Sequence, residues 1–507
     1  MSSSNELSKI THWKDNAEFL GVGTETLPVF CPATGEQINN VLSANKQDVD
    51  DIVASSKQAA EIWSNTSITS RTNIVFAFRH LLEENKGEIA KTISLEHGKV
   101  IPDALGEIQR GLEVVDFACG IGEITKGSLS FNVSTNVDVM SIRFPLGVIA
   151  GITPFNFPAM VPLWMHPIAI ACGNTFILKP SEKDPSASME IAKLWKQAGL
   201  PDGVLNIVHG SAYVVNSLLE HKDIDGISFV GSTPVAKHIY ETSISNKKRC
   251  QALGGAKNHM VVLGDANIEA VADAAVSAGF GSAGERCMAV SVLVVLDCIA
   301  DEVISKIKSR ASKIVVGPSD DPDTEMGPVI SRQHCDKITE LINSGVESGA
   351  DLILDGRDLS IDGYENGFYV GPTIFDRVTT EMPIYKEEIF GPVLNIIRVN
   401  TFDEAIELVK SNPYGNGVAI FTQNGGASRK FIAQIDAGMV GVNVAIPVPV
   451  AYHSFGGWNS SLFGDHHMHG NEGVRFATKL KTVTQRFDDP AVAGPKSGVN
   501  LGFPLNS

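Results

Sequence analysis

The chain has 507 residues, an apolar content of 43% and a formal net charge of −17. This length is enough for about three domains or two large ones, and the negative charge argues against binding to nucleic acid or anionic lipid. No apolar run reaches the ~18–20 residues that span a bilayer. We therefore expect neither a nucleic-acid partner nor a membrane partner.

The first residues and the cysteines indicate the compartment. The N-terminal sequence MSSSNELSKI lacks the apolar core of a signal peptide and is too poor in arginine for a transit peptide. The seven cysteines are dispersed and form no CxxC pair, so they match neither a disulfide framework nor a structural zinc site. These features predict a cytoplasmic protein.

In chain order, the predicted elements alternate between helices and strands. This alternation predicts parallel strands joined by crossover helices, as in a doubly wound, Rossmann-like sheet. A second series from 267 to about 440 predicts a second α/β domain. The individual predictions are helices at 47–97 and 103–118, strands at 147–152, 175–178, 205–208, 226–230 and 260–263, and helices near 160–172, 186–199, 211–220 and 233–242.

Two segments depart from this alternation. Residues 129–142 predict an extended hairpin, in which Leu129, Phe131 and Val133 alternate with polar residues before a turn. The strand-like segment 479–487 is the expected partner of this hairpin. Because so small a sheet has too little core of its own, we expect it to be an arm that packs against another subunit.

The segment GSAGERC (281–287) presents a candidate nucleophile, Cys287, after a run of small residues. Small neighbours leave room for a substrate carbonyl to approach both the sulfur and the backbone N–H. A thiol with a pKa of about 8.5 is mostly protonated at neutral pH, so catalysis needs nearby positive charge or dipoles. The alternative is an inert, buried cysteine in a packing segment.

Glycine-rich segments suggest where a phosphate binds. The string GFGSAG (279–284) matches G-x-G-x-x-G but follows a helical run, whereas a dinucleotide fingerprint must follow a strand and begin a helix. Its glycines are expected to shape the loop under Cys287. The segment Gly231–Thr233 follows a predicted strand and precedes a helix, so its N–H groups and Ser232 are better placed for a pyrophosphate. An ordinary βα turn is the alternative.

Polar residues also follow two other predicted strands, and ligands of open α/β sheets bind beyond such strand ends. Lys179 and Glu182 have the chemistry to bind the hydroxyls of an adenosine ribose, although a solvated Lys/Glu pair is a common arrangement. Asn156, between prolines and aromatic residues, is a candidate N–H donor or a turn-forming asparagine.

Together these segments resemble the aldehyde dehydrogenase superfamily, from the early helices to about Phe487. The matching motifs are PFNFP (154–158), LKPSE (178–182), FVGST (229–233), GERC (284–287), EEIFGPV (387–393) and FGGW (455–458). The resemblance implies an α/β fold with a Rossmann-like NAD-binding domain, an α/β catalytic domain and a β-hairpin oligomerisation arm. The implied divisions are 1–126 and 146–254 for NAD binding, 255–460 for catalysis, 127–145 and 461–487 for the arm, and 488–507 for a C-terminal tail.

The resemblance also implies roles for the candidate residues. Cys287 is the nucleophile that attacks the aldehyde carbon, and Asn156 with the Cys287 N–H holds the oxyanion before hydride passes to NAD. Glu182 suits a free ribose 2′-hydroxyl, which favours NAD over NADP, and Glu388 contacts the nicotinamide ribose. The implied cofactor contacts are Thr153, Phe155, Lys179, Glu182, Lys183, Ser232, Gly254 and Glu388.

One position departs from the superfamily pattern. Where a glutamate usually precedes Leu-Gly-Gly and acts as general base for thioester hydrolysis, this chain has Ala252, in QALGGAKNH (251–259). Water is then poorly activated, and a thiol, for which coenzyme A is the natural candidate, is expected to release the acyl group. This segment, together with those around Cys287 and 443–487, resembles the methylmalonate-semialdehyde dehydrogenases, which convert malonate or methylmalonate semialdehyde to acetyl- or propionyl-coenzyme A with loss of the carboxyl group.

The resemblance requires groups that hold a substrate carboxylate, and Arg110 and Arg286 match. A guanidinium binds a carboxylate at two points, which lysine does not reproduce. Both arginines are expected to lower the pKa of Cys287. The alternatives are a surface ion pair for Arg110 and a structural loop contact for Arg286. The histidines at 466, 467 and 469 are not expected to bind a metal, because no carboxylate or cysteine set completes a site and this chemistry needs no metal.

Three functions remain open at this point. The first is a coenzyme A-acylating semialdehyde dehydrogenase, the second a hydrolytic enzyme for another acidic aldehyde, and the third a non-catalytic protein on the same fold. Retention of Cys287, Asn156 and Glu388 argues against the third, and Ala252 separates the first two. The resemblance favours a homotetramer, although a dimer also fits the arm, and it leaves open the preferred semialdehyde and the pathway, whether valine, inositol or β-alanine catabolism.

Overall fold

The structure is a computed structural model that describes residues 7–487. The tail predicted at 488–507 lies outside the described residues. Among the described helices, none is both long enough and apolar enough to cross a membrane.

The N-terminal part contains five short strands and four helices. The helical run predicted at 47–97 is two helices, because the chain leaves the helix at Ser64 and Ser67 caps a new one by accepting the Ser70 N–H. The elements are β1 (Lys9–Ile10), β2 (His12–Lys14), β3 (Ala17–Phe19), β4 (Thr26–Cys31), β5 (Glu36–Leu42), α1 (Lys46–Trp63), α2 (Ile68–His97), α3 (Ile101–Cys119) and α4 (Ile121–Ile124). Strands β1, β5 and β4 form a small sheet of their own.

The middle of the chain forms the predicted αβ alternation. Its elements are β6 (Leu129–Ser134), β7 (Val137–Pro145), β8 (Val148–Ile152), α5 (Met160–Ala171), β9 (Thr175–Lys179), α6 (Ser186–Gln197), β10 (Leu205–Ile207), α7 (Ala212–Glu220), β11 (Gly226–Val230), α8 (Thr233–Ser245) and β12 (Arg249–Leu253). Strands β12, β11, β8, β9 and β10 lie side by side and parallel, which confirms the doubly wound sheet. Strand β12 was not predicted, because Arg249 and Gln251 interrupt its apolar residues.

A second sheet follows. Its elements, with the neighbouring helices, are β13 (Asn258–Val262), α9 (Ile268–Phe280), β14 (Val290–Leu296), α10 (Asp297–Ala311), α11 (Arg332–Glu347), β15 (Asp351–Leu354), β16 (Thr373–Asp376), α12 (Pro383–Lys386), β17 (Val393–Val399), α13 (Phe402–Lys410), β18 (Tyr414–Gly415), β19 (Gly417–Phe421), α14 (Gly425–Gln434) and β20 (Met439–Val442). The sheet order is β15-β16-β17-β14-β13-β19-β20, and all pairings except β15 with β16 are parallel. Sheet membership therefore changes between Leu253 and Asn258.

The C-terminal part divides between two structures. Its elements are β21 (Trp458–Asn459), β22 (Leu462–Phe463), α15 (Gly470–Ala477) and β23 (Thr478–Arg486). Strand β22 pairs with β12 at the edge of the first sheet, whose other edge is formed by β2 and β3, and α15 packs on α5. The arm predicted at 461–487 therefore begins too early. Within the predicted segment 461–487, β23 is the part that joins the arm sheet, because the residues before it bury apolar side chains against the first sheet.

The arm is a three-stranded antiparallel sheet in the order β23-β7-β6. This pairing confirms the predicted hairpin and its C-terminal partner. Leu129, Phe131 and Leu480 are exposed by 64%, 80% and 59%. Since single chains rarely leave such apolar side chains in water, the arm is an unusual feature for a monomer.

The first sheet determines where the candidate residues lie. Thr153 directly follows β8, Lys179 ends β9, and Ser232 follows β11 by two residues. All three strands are parallel neighbours, so these residues share the carboxyl edge of the sheet, which is where ligands of open α/β sheets bind.

Candidate active site

A tight turn presents Cys287. Helix α9 ends at Phe280 and a 3-10 turn follows, in which Ser282, Ala283 and Gly284 have φ of 52°, 51° and 74°. A Cβ on Gly284 would lie 2.1 Å from the carbonyl oxygen of Gly391, so only glycine fits there. The GFGSAG string thus ends a helix and shapes the loop under Cys287, as predicted.

Two cavities meet at Cys287. The first, of about 220 Å³, lies at the carboxyl edge of the first sheet, and we call it the sheet-edge cavity. The second, of about 310 Å³, is the arginine cavity. Six predicted site residues line the sheet-edge cavity, namely Phe155, Asn156, Ser232, Gly254, Cys287 and Glu388. The arginine cavity is lined by Arg110, Arg286 and Cys287, and by apolar side chains that include Phe157, Trp164 and Phe455.

The other four predicted cofactor contacts do not line the sheet-edge cavity. Lys179 Nζ binds Glu182 at 2.8 Å, and the Thr153 N–H donates to the Lys179 carbonyl at 3.1 Å. Lys183 Nζ lies over the Phe155 ring, 5.1 Å from its centre. Burial alone would raise the pKa of Glu182, but the adjacent Lys179 ammonium lowers it below its ordinary value. The carboxylate is therefore ionised.

Burial has the largest effect on the pKa of the Cys287 thiol. Burial, helped by the negative charge of Glu388, raises the pKa of Cys287 to about 12. Backbone N–H groups and Arg286 act in the opposite direction but are outweighed. Arg286 thus lowers this pKa as expected, but desolvation, which the expectation did not consider, outweighs its charge. As a nucleophile, Cys287 would therefore need a group that takes its thiol proton.

Asn156 is hydrogen-bonded to the loop that carries Cys287. Its side chain is 3% exposed, and Nδ2 donates to the Glu285 carbonyl oxygen at 3.0 Å. An amide nitrogen carries two N–H groups, so the second is available to an oxyanion at the neighbouring Cys287.

Glu388 lies across the sheet-edge cavity from the first sheet. Its Oε1 accepts the Ala256 N–H at 3.0 Å, and burial raises the pKa of Glu388 to about 7. Gly255 leaves room for the other oxygen, since a Cβ there would lie 2.3 Å from Oε2. Behind it, Lys257 Nζ donates to the carbonyls of Ile384 and Glu387 at 2.7 and 2.6 Å and so holds the segment that bears Glu388.

Position 252 offers no base. Ala252 lies in β12, fully buried, with Phe229 and Phe463 as its strand partners. Its methyl group neither accepts a proton nor orients a water molecule.

The two arginines are both cavity residues and ion-pair partners. Arg286 Nη2 binds Asp103 Oδ2 at 2.7 Å. Arg110 Nη1 binds Glu113 at 2.8 Å and its Nη2 donates to the Val448 carbonyl at 3.1 Å. The carboxylate-binding role and the ion-pair alternative are thus compatible, because each guanidinium has five N–H donors.

The chain matches the model of the aldehyde dehydrogenase family over residues 20–483. It belongs to the aldehyde dehydrogenase family. A malonate-semialdehyde dehydrogenase of Pseudomonas aeruginosa is 50% identical over 481 residues, which cover 95% of this chain and 97% of the relative. Two solved structures are also similar. One is a Sinorhizobium meliloti 1021 protein described as a methylmalonate-semialdehyde dehydrogenase and complexed with NAD (47% identity, TM-score 0.95, 96% and 99% of the chains covered). The other is a methylmalonate-semialdehyde dehydrogenase of Oceanimonas doudoroffii, with 49% identity, a TM-score of 0.94, and coverage of 96% of this chain and 100% of that one.

The sequence did not reveal the buried ion pair that supports Asn156 in this aldehyde dehydrogenase. Lys99 Nζ donates to the Asn156 carbonyl at 2.8 Å and to Glu107 at 2.6 Å. Glu107 in turn accepts the N–H groups of Ala159 and Met160 at the start of α5. In the sequence Glu107 is an ordinary helix charge and Lys99 lies between two helices, and only the fold shows that they are buried together.

Lys99→Met is expected to lower the free energy of unfolding by about 3–5 kcal/mol, because it leaves the Glu107 carboxylate buried without its counter-charge. Urea denaturation measures the change. Lys91→Met, which breaks the exposed pair with Glu88 on the preceding helix, is the control and should cost less than about 1 kcal/mol. Equal effects would show that the buried pair is not a structural support.

Glu285 is a second residue near the site that the sequence did not reveal. It is fully buried, its Oε1 accepts the Ile330 N–H at 3.2 Å, and burial raises its pKa to about 8. Its backbone carbonyl is the acceptor for Asn156. Metal binding is a separate point. Within residues 7–487 no group of three or more His, Cys, Asp or Glu side chains is arranged to hold a metal ion, and this includes the histidines at 466, 467 and 469.

Proposed function

We propose that the chain catalyses NAD-dependent oxidation of malonate or methylmalonate semialdehyde, with loss of the carboxyl group, to acetyl- or propionyl-coenzyme A. The observation that carries the proposal is the position of Cys287 at the junction of a cavity lined by two arginines and a cavity lined by Ser232 and Glu388. The relatives named above are dehydrogenases of these semialdehydes.

The residues suit the first half of the reaction. The Cys287 S–H bond breaks and its proton passes to solvent as the sulfur attacks the aldehyde carbon. The carbonyl oxygen becomes an oxyanion that Asn156 Nδ2 and the Cys287 N–H hold by hydrogen bonds. NAD, when bound, accepts the hydride that leaves this carbon. The carbon–sulfur bond remains, so Cys287 then carries a thioester.

The sheet-edge cavity fits a dinucleotide. Helix α8 begins after β11 with Ser232 at its N-cap and Pro234 in its first turn, and within the described residues no side chain caps its N–H groups. Those groups are free to bind a pyrophosphate, which the helix dipole also attracts. Ser232, Gly254 and Glu388 would hold the dinucleotide from three sides, with Lys179 and Glu182 at the adjoining strand end.

The arginine cavity suits the acidic end of the substrate. Arg110 and Arg286 would bind the carboxylate until the thioester has formed. The bond to the carboxyl carbon then breaks, carbon dioxide leaves, and the electron pair moves into the thioester as an enolate whose oxygen Asn156 holds. A proton from solvent completes the acetyl or propionyl group.

Acyl release is assigned to the thiol of coenzyme A, because Ala252 activates no water. The test is NADH formation from malonate semialdehyde with and without coenzyme A, followed by identification of the product. We expect acetyl-coenzyme A as the product, with turnover dependent on coenzyme A. Free acid formed at an undiminished rate without coenzyme A would mean that the enzyme is hydrolytic, and no NADH in either condition would mean that it is a binding protein.

Arg286→Lys is expected to raise KM for malonate semialdehyde about tenfold or more and KM for propanal less than twofold. Lysine replaces the planar guanidinium with a point charge and loses the two-point contact with the carboxylate. Steady-state kinetics on both aldehydes measure the ratio. Equal effects on the two substrates would show that Arg286 has only a structural role in the pair with Asp103.

We also propose that the arm joins copies of this chain into a homo-oligomer. Phe131→Ser with Leu480→Ser replaces two exposed apolar side chains of the arm by polar ones. Sedimentation analysis is expected to show a smaller species for the double variant than for the unaltered protein. Phe76→Ser, at a side chain exposed by 57% on α2, is the control. An unchanged size for the arm variant would contradict this assembly.

A further inference from the structure

We propose that Glu388 is the general base for acyl release, taking the proton of the incoming coenzyme A thiol and returning it to Cys287. This goes beyond the contact with the nicotinamide ribose expected for Glu388. It rests on thiol-dependent release as proposed above. Because Ala252 takes no proton, another group must ionise the attacking thiol, and Glu388 is that group.

The two cavities define the approach of the thiol. During acyl transfer, the acyl chain on Cys287 lies on the side of the arginine cavity, where the carboxylate was bound. The free approach to the thioester carbon is therefore through the sheet-edge cavity, once the reduced dinucleotide has left it. Glu388 and Cys287 both line this cavity.

Glu388 is oriented for this task by its neighbours. One carboxylate oxygen, Oε1, is fixed by the Ala256 N–H. The other, Oε2, lies beside Gly255, where only the lack of a Cβ gives it space, and it has no hydrogen-bond partner among the described residues. A carboxylate held at one oxygen and free at the other is arranged to accept a proton.

The charges around Glu388 support the same role. Burial raises the pKa of Glu388 to about 7, against the opposing effect of Lys257 and Lys337. Tyr414 and Cys287 face it from other elements, and its negative charge raises the pKa of both groups. A base whose pKa lies near the operating pH gives the most effective proton transfer.

Other groups near the thioester are poorer bases. Glu388 is the one carboxylate among the described residues that line the sheet-edge cavity. His334 also lines it, but burial lowers the pKa of His334 to about 4, and its Nε2 is engaged by the Phe390 carbonyl at 2.8 Å. Glu285 is fully buried and lies outside the lining.

Acyl transfer to coenzyme A passes through one tetrahedral oxyanion. The thiol S–H bond breaks, its proton moves to Glu388, and the sulfur attacks the thioester carbon to form a tetrahedral oxyanion held by Asn156. The oxyanion collapses, the bond between carbon and Cys287 Sγ breaks, and the electron pair stays on Sγ. Because the pKa of Cys287 is about 12, the thiolate is a poor leaving group, and the proton held by Glu388 goes to it.

The experiment isolates this step from the cofactor. Acetylate Cys287 with an aryl acetate in the absence of any nicotinamide, verify loading by intact mass, and follow loss of the acetyl group on addition of coenzyme A. Glu388→Gln is expected to slow this loss by about 100-fold or more, the usual effect of losing a general base. Glu387→Gln, at the adjacent exposed carboxylate, is the matched control and should stay within twofold of the unaltered enzyme.

Two further readouts separate a base from a structural support. Glu388→Asp, which keeps a carboxylate on a shorter side chain, is expected to deacylate at least tenfold faster with coenzyme A than Glu388→Gln, which keeps the side-chain length but cannot take a proton. With coenzyme A, the rate of the unaltered enzyme should rise with pH through about 7 as Glu388 ionises, whereas that of the variant should follow ionisation of the free thiol near pH ~8.5.

Equal deacylation rates for the unaltered enzyme and Glu388→Gln with coenzyme A would overturn the proposal. So would a rate for Glu388→Asp no higher than that for Glu388→Gln, because a carboxylate at this position would then give no advantage. Failure of the proposed function gives a different result, in which the acetyl-enzyme of the unaltered protein is lost to water as fast without coenzyme A as with it.

Discussion

Cys287→Ala is expected to reduce NADH formation from malonate semialdehyde by on the order of 10⁴-fold or more, because the reaction has no covalent route without the sulfur. Alanine is small and apolar, so the turn that presents residue 287 should be preserved. The rate is measured by absorbance of NADH with saturating coenzyme A. Binding of NAD, followed by titration, should change less than about threefold, which shows that the sheet-edge cavity is intact.

Cys298→Ala is the matched control for that experiment, since Cys298 is an exposed thiol on α10, away from both cavities. Its activity should equal that of the unaltered enzyme. Substantial NADH formation by Cys287→Ala, within tenfold of the unaltered rate, would remove the covalent mechanism altogether.

Asn156→Ala is expected to lower kcat by about 10²–10³-fold, equivalent to about 2.7–4 kcal/mol, because it removes one of two donors to the oxyanion. The contact is strongest when charge develops on the oxygen, so KM for the aldehyde should change little. Steady-state kinetics with malonate semialdehyde measure both constants.

The same variant also loses the hydrogen bond to the Glu285 carbonyl, so a control for the loop is needed. Glu285→Ala removes the contact of the same loop with the Ile330 N–H and leaves the Asn156 amide and its support by Lys99 in place. If this variant lowers kcat as much as Asn156→Ala, the effect arises from loop position. A loss in kcat confined to Asn156→Ala identifies the amide as the oxyanion donor.

Much of the first sheet follows from the sequence, because its strands are buried on both faces. The run Gly226–Val230 is continuous in small or apolar residues, and its observed bounds are the predicted ones. Strand β12 was missed because Arg249 reaches out to the carbonyls of 475, 476 and 478 and Gln251 bonds Ser228 inside the protein. Such polar residues are satisfied only by tertiary partners that the sequence does not reveal.

The candidate site, too, was only partly predictable from the sequence. Glycine patterns and strand ends identified Ser232 and the Cys287 loop, since local backbone geometry determines both. The sequence did not reveal Lys99 and Glu107, because their pairing depends on the turn between α2 and α3 and their burial on the packing of α3 against α5. The sequence indicated the lowering effect of Arg286 on the pKa of Cys287 but not the larger effect of burial, because desolvation depends on the whole surroundings of the sulfur.

The most direct measurement follows a single turnover without coenzyme A. The enzyme is mixed with NAD and malonate semialdehyde, NADH is recorded by absorbance, and the protein is examined by intact mass and peptide mapping. We expect one NADH per active site, an acetyl group on Cys287 that persists, and its rapid release as acetyl-coenzyme A when coenzyme A is added. Continued NADH production with free acetate and no acetylated Cys287 would contradict the proposed release by a thiol.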